Sequence, residues 1–209
     1  MINKDKLKKD LKLYLVTDSD ILKDRDFYKC IEDAIKSGVT MVQLREKNID
    51  GKEFLEKAIK LRELTRKYNV TFIINDRIDI AMLADADGVH IGQSDIDAIS
   101  ARKLLGNDKI IGVSARNLEE AIVAKESGAD YLGIGAMFST STKKDAKIVS
   151  FDTLEEIIKK VDLPFVLIGG ITLDNVEKLE RFNPDGYALV SSILEADNIC
   201  KRVEEWCKI

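Results

Sequence analysis

The chain is poor in the side chains that build soft metal centres and disulfide frameworks. It has one histidine, His90, and three cysteines, Cys30, Cys200 and Cys207, among 209 residues. A single histidine excludes a histidine-rich metal site and most histidine-based catalytic triads. The cysteines are odd in number and lack a metal-type spacing, so we expect all three to pack in the interior. His90 lies in a short apolar segment, where it is either a hydrogen-bonded core residue or part of a site.

An excess of positive charge is also missing. The chain has 33 lysine and arginine residues against 37 aspartate and glutamate residues, a net charge of −4. This balance argues against sequence-independent nucleic-acid binding, although a few local lysines can still bind a small anionic substrate. No apolar run reaches the length of a membrane span, and residues 1–5 do not begin a signal peptide. We therefore expect a cytoplasmic protein that binds neither nucleic acid nor a membrane.

Apolar segments of strand length alternate with helix-patterned segments along the whole sequence. Continuous apolar strands that are buried on both faces are typical of a parallel sheet, and eight strand–helix units predict a (β/α)₈ TIM barrel. The alternative is an open doubly wound sheet, but no glycine-rich dinucleotide fingerprint follows the first strand. We predict one α/β domain over residues 1–209, with short loops and an N-terminal helical extension at 1–10. The predicted strands are 11–18, 41–47, 71–76, 88–92, 110–115, 131–135, 165–170 and 186–192.

The ends of the predicted strands carry polar residues in the same phase. In a TIM barrel, the C-terminal strand ends form the site, so these residues should meet around one opening. The polar strand ends contain Asp18, Gln43, Arg45, Lys47, Asn75, Asp76, Gln93, Asp95, Ser114, Thr140, Thr142, Lys143, Gly169, Gly170, Ser191 and Ser192.

The longest of these polar segments is the loop that follows the sixth strand. Thr140, Ser141 and Thr142 supply three hydroxyls there, and Lys143 and Lys144 follow directly. Hydroxyl and ammonium groups suit a negatively charged ligand, because they supply hydrogen-bond donors and positive charge. A solvated surface loop is the alternative for this stretch alone, but the polar ends of the other strands favour an anion site.

A phosphate-binding segment is predicted at the ends of strands seven and eight. Gly169 and Gly170 end one strand, and Val190 and Ser191 end the next. Backbone N–H groups at these two strand ends commonly hold a phosphate group in TIM barrels. Glycine fits this role because phosphate oxygens can approach a backbone without a Cβ atom, although a simple tight turn would also use two glycines.

Two aspartates suggest a metal site on the opposite side. Asp76 and Asp95 end neighbouring strands, where Arg45, Lys47 and Lys143 supply positive charge. Oxygen ligands without nearby histidine or cysteine favour Mg²⁺, which usually binds together with substrate phosphates. The alternative is that both aspartates only cap helices. A diphosphate–Mg²⁺ site that faces a monophosphate site predicts two phosphorylated small-molecule substrates and a group transfer.

The motifs that carry these residues resemble those of the thiamine-phosphate synthase family. The matching motifs occur in order between residues 14 and 193. They are Gln43-Leu44-Arg45-Glu46-Lys47, Asn75-Asp76, Asp87-Gly88-Val89-His90-Ile91-Gly92-Gln93 with Asp95, Gly112-Val113-Ser114, Thr140-Ser141-Thr142-Lys143-Lys144-Asp145, Ile168-Gly169-Gly170-Ile171 and Val190-Ser191.

The resemblance implies a Mg²⁺-dependent transferase of thiamine biosynthesis, with one ion per subunit and chains that self-associate. Such an enzyme joins 4-amino-5-hydroxymethyl-2-methylpyrimidine diphosphate to 4-methyl-5-(2-hydroxyethyl)thiazole phosphate or its carboxylate. Its products are thiamine monophosphate and pyrophosphate, with CO₂ from the carboxylated thiazole. In the family's proposed reaction, diphosphate leaves first, and the thiazole nitrogen captures the resulting pyrimidine methyl cation.

The resemblance also implies a role for each matching residue. Asp76 and Asp95 would bind Mg²⁺, and the catalytic group would be Lys143, Ser114, Arg45 and Lys47. The pyrimidine diphosphate would contact Gln43, Arg45, Lys47, Asn75, Ser114 and Lys143. The thiazole phosphate would contact Thr140, Ser141, Thr142, Gly170, Val190 and Ser191.

The chain departs from the family pattern at several positions. Ala136 and Ser139 stand where prolines are usual, Leu167 where a glycine is common, and Arg116 where many members have a histidine. The related thiazole tautomerases typically use that histidine as an acid and base. Arg116 argues against this alternative function, because a guanidinium stays protonated. A non-catalytic ligand-binding relative is the other alternative, since binding and turnover use the same groups.

Overall fold

The computed structural model describes residues 2–140 and 147–209. Eight parallel strands pair in chain order, and pairing of the first strand with the last closes the sheet. The predicted (β/α)₈ barrel is therefore confirmed. The strands are β1 Leu13–Val16, β2 Met41–Leu44, β3 Thr71–Asn75, β4 Gly88–Ile91, β5 Ile110–Ala115, β6 Tyr131–Gly135, β7 Phe165–Ile168 and β8 Gly186–Leu189.

Helices follow the strands and pack around the barrel. Polar residues begin most of the longer ones; for example, the Asp50 and Ser150 side chains accept backbone N–H groups of the first turns of α4 and α8. Such caps satisfy donors that a helix start leaves without an intrahelical partner. The helices in the described residues are α1 Lys4–Leu11, α2 Ser19–Leu22, α3 Phe27–Lys36, α4 Gly51–Lys67, α5 Ile78–Leu83, α6 Ala98–Leu105, α7 Leu118–Glu126, α8 Phe151–Lys160, α9 Glu177–Glu180, α10 Ser191–Leu194 and α11 Ile199–Trp206.

Some strands end earlier than predicted. β2 ends at Leu44, β7 at Ile168 and β8 at Leu189, so the polar residues that follow lie outside the ladders. The helix after β7 is short, Glu177–Glu180, because turns occupy most of residues 172–176. The polar strand ends thus belong to the loops around the barrel opening.

The helix after β4 does not begin beside Asp95, as the capping alternative requires, because α6 begins at Ala98. Asp97 is the residue that caps it, since its side chain accepts the backbone N–H of Ser100. Asp95 is therefore free of the capping role and remains in the β4–α6 loop.

The interior of the barrel forms an apolar layer separate from the one between strands and helices. α1 covers the N-terminal end of the barrel, where Leu7 and Leu11 are buried. Asn3 caps this helix by accepting the backbone N–H of Lys6, so the charged N-terminal segment is a formed helix. The interior layer contains Leu7, Leu11, Tyr14, Val16, Met41, Ile73, Ile110, Tyr131, Val166 and Ala188.

The cysteines differ in their surroundings. All three are free, Cys30 is buried and Cys200 is half-buried, but Cys207 is exposed. The prediction of interior packing is wrong for Cys207, because this residue lies at the C-terminal cap of α11 rather than on its packed face. Within the described residues, no helix is both long and apolar enough to cross a membrane.

The covering role of α1 predicts a stability effect. Leu7 is 2% exposed, so Leu7→Ala removes buried methyl groups and should lower the free energy of unfolding by about 2–5 kcal/mol. Leu104 on α6 is 55% exposed, and Leu104→Ala should change it by less than about 0.5 kcal/mol. Urea unfolding of the full chain measures both. A loss of unfolding free energy in Leu7→Ala that is as small as in Leu104→Ala would mean that α1 does not contribute to the core.

Candidate active site

A cavity of about 660 Å³ opens at the C-terminal ends of the strands. This volume lies within the range of small-molecule sites. Residues of all eight strands or of the loops after them contribute to the walls. Ser141, Thr142, Lys143 and Lys144 lie outside the described residues. The predicted site residues that line the cavity are Gln43, Arg45, Lys47, Asn75, Asp76, Asp95, Ser114, Thr140, Gly170, Val190 and Ser191.

Arg45 is held in place on one wall of this cavity. Its guanidinium Nη1 lies 3.4 Å from Oδ2 of Asp18, and both side chains are largely buried. The backbone N–H of Arg45 donates to Oγ1 of Thr17 at 3.0 Å. Asp18 also caps α2 by accepting the N–H groups of the next turn. The chain therefore fixes the direction of this arginine before a ligand is bound, which lowers the ordering cost of binding an anion.

Glu46 explains why its two cationic neighbours can face the cavity. Its Oε1 accepts hydrogen bonds from Oγ of Ser19 and Nζ of Lys57, each 2.6 Å away. The Glu46 side chain is 5% exposed, so this contact ties the β2–α4 loop to the helices outside. Glu46 was not among the predicted site residues. The alternation of side chains along an extended segment could have indicated it, because Arg45 and Lys47 lie on one side and Glu46 on the other.

Asp76 and Asp95 interact with each other at the cavity wall. The Asp76 carboxyl reaches the cavity, but partial burial raises its pKa to about 6, together with hydrogen bonding and repulsion from Asp95. Asn75 and Arg45 act in the opposite direction. The raised pKa of Asp76 shows that the two carboxyls form a centre of negative charge. A bound cation would reduce the repulsion between them.

The alternative reading of these aspartates as helix caps is wrong. The helix after β3 has Arg77 at its N-cap position and no side-chain capping bond, and Asp97 caps α6. Asp95 instead accepts the backbone N–H of Gly92 at 2.7 Å, within its own loop. Asp76 has a φ angle of 61°, a left-handed conformation that aspartate tolerates better than most residues and that is frequent at functional sites.

The donor set fits a hard divalent cation. The two carboxylates supply oxygen ligands, and no group of three or more metal-ligating side chains occurs among the described residues. Mg²⁺ is usually bound by one or two carboxylates and completes its coordination with waters and substrate phosphates. Two converging aspartates in a cavity with Arg45 and Lys47 therefore fit Mg²⁺ better than a metal that needs a full protein cage.

The glycines after β7 make a close approach to the β6 loop. Gly169 and Gly170 have φ angles of 96° and 65°, which favour glycine. A Cβ atom on Gly170 would lie 2.3 Å from the backbone oxygen of Ser139. The missing Cβ is thus needed for the contact between two loops, a reason that differs from the predicted access of phosphate oxygens.

Donors are available beside these glycines. The short helix α10 begins at Ser191 and has no side-chain cap, so its first backbone N–H groups have no intrahelical partner. The hydroxyl of Ser192 is buried and has no hydrogen-bond partner among the described residues. Both serines line the cavity. An anionic oxygen would satisfy such donors, and the phosphate-binding role of this segment stays a prediction.

His90 connects the cavity to the barrel interior. Its Nδ1 lies 3.0 Å from the hydroxyl of Tyr131, and its Nε2 lies 3.0 Å from Oγ of Ser114. Burial lowers the pKa of His90 to about 4, against an opposing effect of the Asp95 charge, so the imidazole is neutral at pH 7. Both predicted readings therefore apply, because His90 is a buried, hydrogen-bonded residue that also lines the cavity.

The cavity walls also contain residues outside the predicted ligand sets, among them Tyr14, Arg116, Lys147 and Ser192. Tyr14 lies inside the barrel, and its apolar setting gave no signal of a polar role. Arg116 and Lys147 line the cavity on loops that sequence periodicity does not orient. The Arg116 guanidinium is paired with Glu120 at 2.8 Å. Ser192 was noted at a strand end but received no ligand role.

The comparisons with known proteins agree on one family. The model of the family described as thiamine monophosphate synthase matches residues 13–193. The thiamine-phosphate synthase of Clostridioides difficile is 68% identical over 206 residues, which cover 99% of this chain and 98% of that protein. The thiamine-phosphate synthase of Clostridium tetani is 53% identical over 196 residues, 94% of each chain.

One solved structure agrees on the family, and a second shares the fold. Thiamine phosphate pyrophosphorylase from Pyrococcus furiosus superposes with a TM-score of 0.89 at 38% identity, over 97% of this chain and 96% of that chain. A 3-hexulose-6-phosphate synthase superposes with a TM-score of 0.69 at 15% identity, over 94% of this chain and 98% of that chain. The second likeness concerns the fold alone.

The contact between Glu46 and Lys57 predicts an unequal response to two mutations. Glu46→Ala leaves the largely buried Lys57 ammonium without its carboxylate and should lower the free energy of unfolding by about 3–5 kcal/mol. Glu156→Ala removes one partner of an exposed pair with Lys160 and should cost less than about 1 kcal/mol. Urea unfolding measures both. The double variant Glu46→Ala with Lys57→Met should regain much of the loss, and a further loss would contradict this account.

Proposed function

The chain belongs to the thiamine monophosphate synthase family, and from this membership we propose how its barrel carries out the reaction. The function is that of a thiamine-phosphate synthase, a transferase of thiamine biosynthesis. It joins 4-amino-5-hydroxymethyl-2-methylpyrimidine diphosphate to thiazole phosphate, in plain or carboxylated form. Thiamine monophosphate and pyrophosphate are the products, together with CO₂ when the thiazole is carboxylated.

One observation carries the proposed arrangement of the substrates. A single cavity contains two polar walls of different chemistry, one with Arg45, Lys47 and the two aspartates, the other with Gly170 and Ser191. Diphosphate with Mg²⁺ suits the first wall, because cations and metal together neutralise a high negative charge. A phosphate monoester suits the second wall, whose backbone donors are neutral. The two reacting carbon and nitrogen atoms would then meet between them.

The residues of the diphosphate wall act on the leaving group. As the bond between the methylene carbon and the bridging oxygen breaks, negative charge grows on the diphosphate. Arg45 and Lys47 stabilise that charge more than the ground state, which lowers the barrier. Asp18 keeps the Arg45 guanidinium oriented, so little reorganisation is needed during the reaction. Gln43, Asn75 and Ser114 orient the pyrimidine, and the second wall presents the thiazole nitrogen.

Asp76 and Asp95 are the residues that would hold Mg²⁺. When bound, the ion supplies Lewis-acid neutralisation of the diphosphate oxygens. The interaction of the two carboxyls, described above, supports this assignment. The aspartates thus serve the substrate through charge, and neither needs to transfer a proton.

Removal of one metal-binding carboxylate should weaken Mg²⁺ binding. Asp76→Asn and Asp95→Asn should each raise the Mg²⁺ concentration for half-maximal pyrophosphate release by about tenfold or more. Calorimetric titration of Mg²⁺ into the protein with pyrophosphate gives a readout independent of turnover. Asp97→Asn is the matched control, since asparagine keeps the helix cap. Unchanged Mg²⁺ dependence in both variants would show that the aspartates do not bind the ion.

Lys143 lies outside the described residues, and its role rests on the family resemblance. We expect its ammonium to stabilise charge on the bridging oxygen, so Lys143→Ala should lower kcat by ~10²–10³. Lys144→Ala is the matched control and should change kcat by only a few fold. Pyrophosphate release under saturating substrates measures both rates. The assignment fails if Lys144 is the costly position.

The overall proposal is tested by incubating the purified chain with Mg²⁺ and the two substrates. We expect equal amounts of pyrophosphate and thiamine monophosphate, detected by coupled assay and mass spectrometry. Omission of either substrate is the control for hydrolysis. Binding of both substrates without product would instead identify a non-catalytic relative, and would overturn the proposed activity.

A further inference from the structure

A continuous chain of hydrogen bonds crosses the barrel beneath the cavity. The Nε2 amide of Gln43 lies 2.6 Å from the hydroxyl of Tyr14, which lies 2.9 Å from the hydroxyl of Tyr131. Tyr131 contacts Nδ1 of His90 at 3.0 Å, and Nε2 of His90 contacts Oγ of Ser114 at 3.0 Å. Both ends, Gln43 and Ser114, line the cavity. The proposed reaction gives no role to the three residues between them.

The barrel makes room for these side chains through missing Cβ atoms. A Cβ on Gly112 would lie 2.1 Å from Cζ of Tyr131, and a Cβ on Gly133 would lie 2.9 Å from Cε1 of His90. Tyr14 and Tyr131 are 1% and 0% exposed. Burial of polar groups is costly unless they are hydrogen-bonded. The hydrogen bonds between these side chains offset that cost, and the surrounding glycines leave space for the rings.

The donor and the acceptor of every hydrogen bond in this series follow from its Gln43 end. The amide nitrogen of Gln43 carries only hydrogens to share, so it donates to the Tyr14 oxygen. Tyr14 then gives its own proton to its other partner, the Tyr131 oxygen. Tyr131 in turn donates to Nδ1 of His90, which must therefore be unprotonated.

The far end of the chain is fixed in the same way. With Nδ1 accepting from Tyr131, the ring is not an imidazolium, in which both nitrogens donate, so it carries a single proton. With Nδ1 as an acceptor, that proton is on Nε2, which donates to Oγ of Ser114. The Ser114 hydroxyl then has its own proton available for the cavity. Gln43, whose nitrogen is used for Tyr14, keeps its amide oxygen as an acceptor.

We propose that Tyr14, Tyr131 and His90 are positioning residues that set Ser114 as a hydrogen-bond donor and Gln43 as an acceptor towards the ligand. This inference rests on the proposed function, because the ligand edge is then that of an aminopyrimidine. Its ring nitrogens accept, and its exocyclic amine donates. A 4-oxo pyrimidine presents a carbonyl oxygen where the amine would donate. A site with Ser114 fixed as a donor and Gln43 fixed as an acceptor should therefore bind the 4-oxo pyrimidine more weakly.

The protonation of His90 can be read directly. His90 is the only histidine in the sequence, so long-range ¹H–¹⁵N spectra of the uniformly labelled full chain assign its two ring nitrogens without ambiguity. We expect the Nε2–H form at pH 7, both without ligand and with the pyrimidine diphosphate bound. A predominant Nδ1–H form, or a charged ring, would overturn the proposal.

Selectivity is measured with two ligands, the 4-amino pyrimidine diphosphate and its 4-oxo analogue, by calorimetry with Mg²⁺. The wild-type chain should prefer the amino ligand by at least about tenfold, because the wrong polarity leaves a buried group unpaired. Tyr131→Phe removes the proton that holds Nδ1 as an acceptor. This variant should populate both forms of His90 and lose most of the preference, while thiazole phosphate affinity stays within about twofold.

Tyr187→Phe is the matched control. Tyr187 is a buried barrel tyrosine that packs against Trp206, on the outer face, and its loss of a hydroxyl should leave both the spectrum and the preference unchanged. Retained preference in a folded Tyr131→Phe variant would overturn the proposal. If that variant does not fold, the wild-type spectrum decides. The spectrum does not depend on turnover, so failure of the polarity and failure of the synthase activity are distinguishable.

Discussion

Pairing of β1 with β8 closes the sheet, and the site depends on that closure. All eight strands are parallel, so closure brings their C-terminal ends to one opening, while α1 covers the other end. Residues as distant in sequence as Arg45 and Ser191 thereby line one cavity. An open sheet would leave the same polar loops along a line, where two substrates could not be enclosed between opposite walls.

Ion pairs with residues outside the cavity fix the positions of charged groups that line it. Arg45 is oriented by Asp18, and the loop that carries it is tied down by the pair between Glu46 and Lys57. The two negatively charged residues, Asp76 and Asp95, interact with each other, and the pKa of Asp76 is raised. A divalent cation would reduce the repulsion between the two carboxylates. Negative and positive groups of the cavity are thus both held in place by neighbouring side chains.

The interior of the barrel adds a second kind of order, in the direction of hydrogen bonds. Tyr14 and Tyr131 lie in a layer that is otherwise apolar, and Tyr131 contacts the buried His90. Because each hydroxyl or ring nitrogen has the next as its partner, the donor and acceptor roles of these side chains are coupled. Glycines at positions 112 and 133 leave the space for these rings. In the proposed arrangement, the donor and acceptor roles set in the core extend to Gln43 and Ser114 at the cavity.

The sequence by itself determined the alternation of strands and helices, and with it the barrel, because burial on both faces and helical periodicity are local patterns. It also determined which strand ends are polar, so Gln43, Asp76 and Ser191 were predicted at one opening. Only the tertiary structure decided that Asp95 does not cap a helix, that Glu46 points outward, and that Gly170 is required by the Ser139 backbone. The same holds for the chain from Tyr14 to Ser114, which joins four strands. Such contacts depend on the closure and register of the sheet, and these arise from many distant residues together rather than from any local pattern.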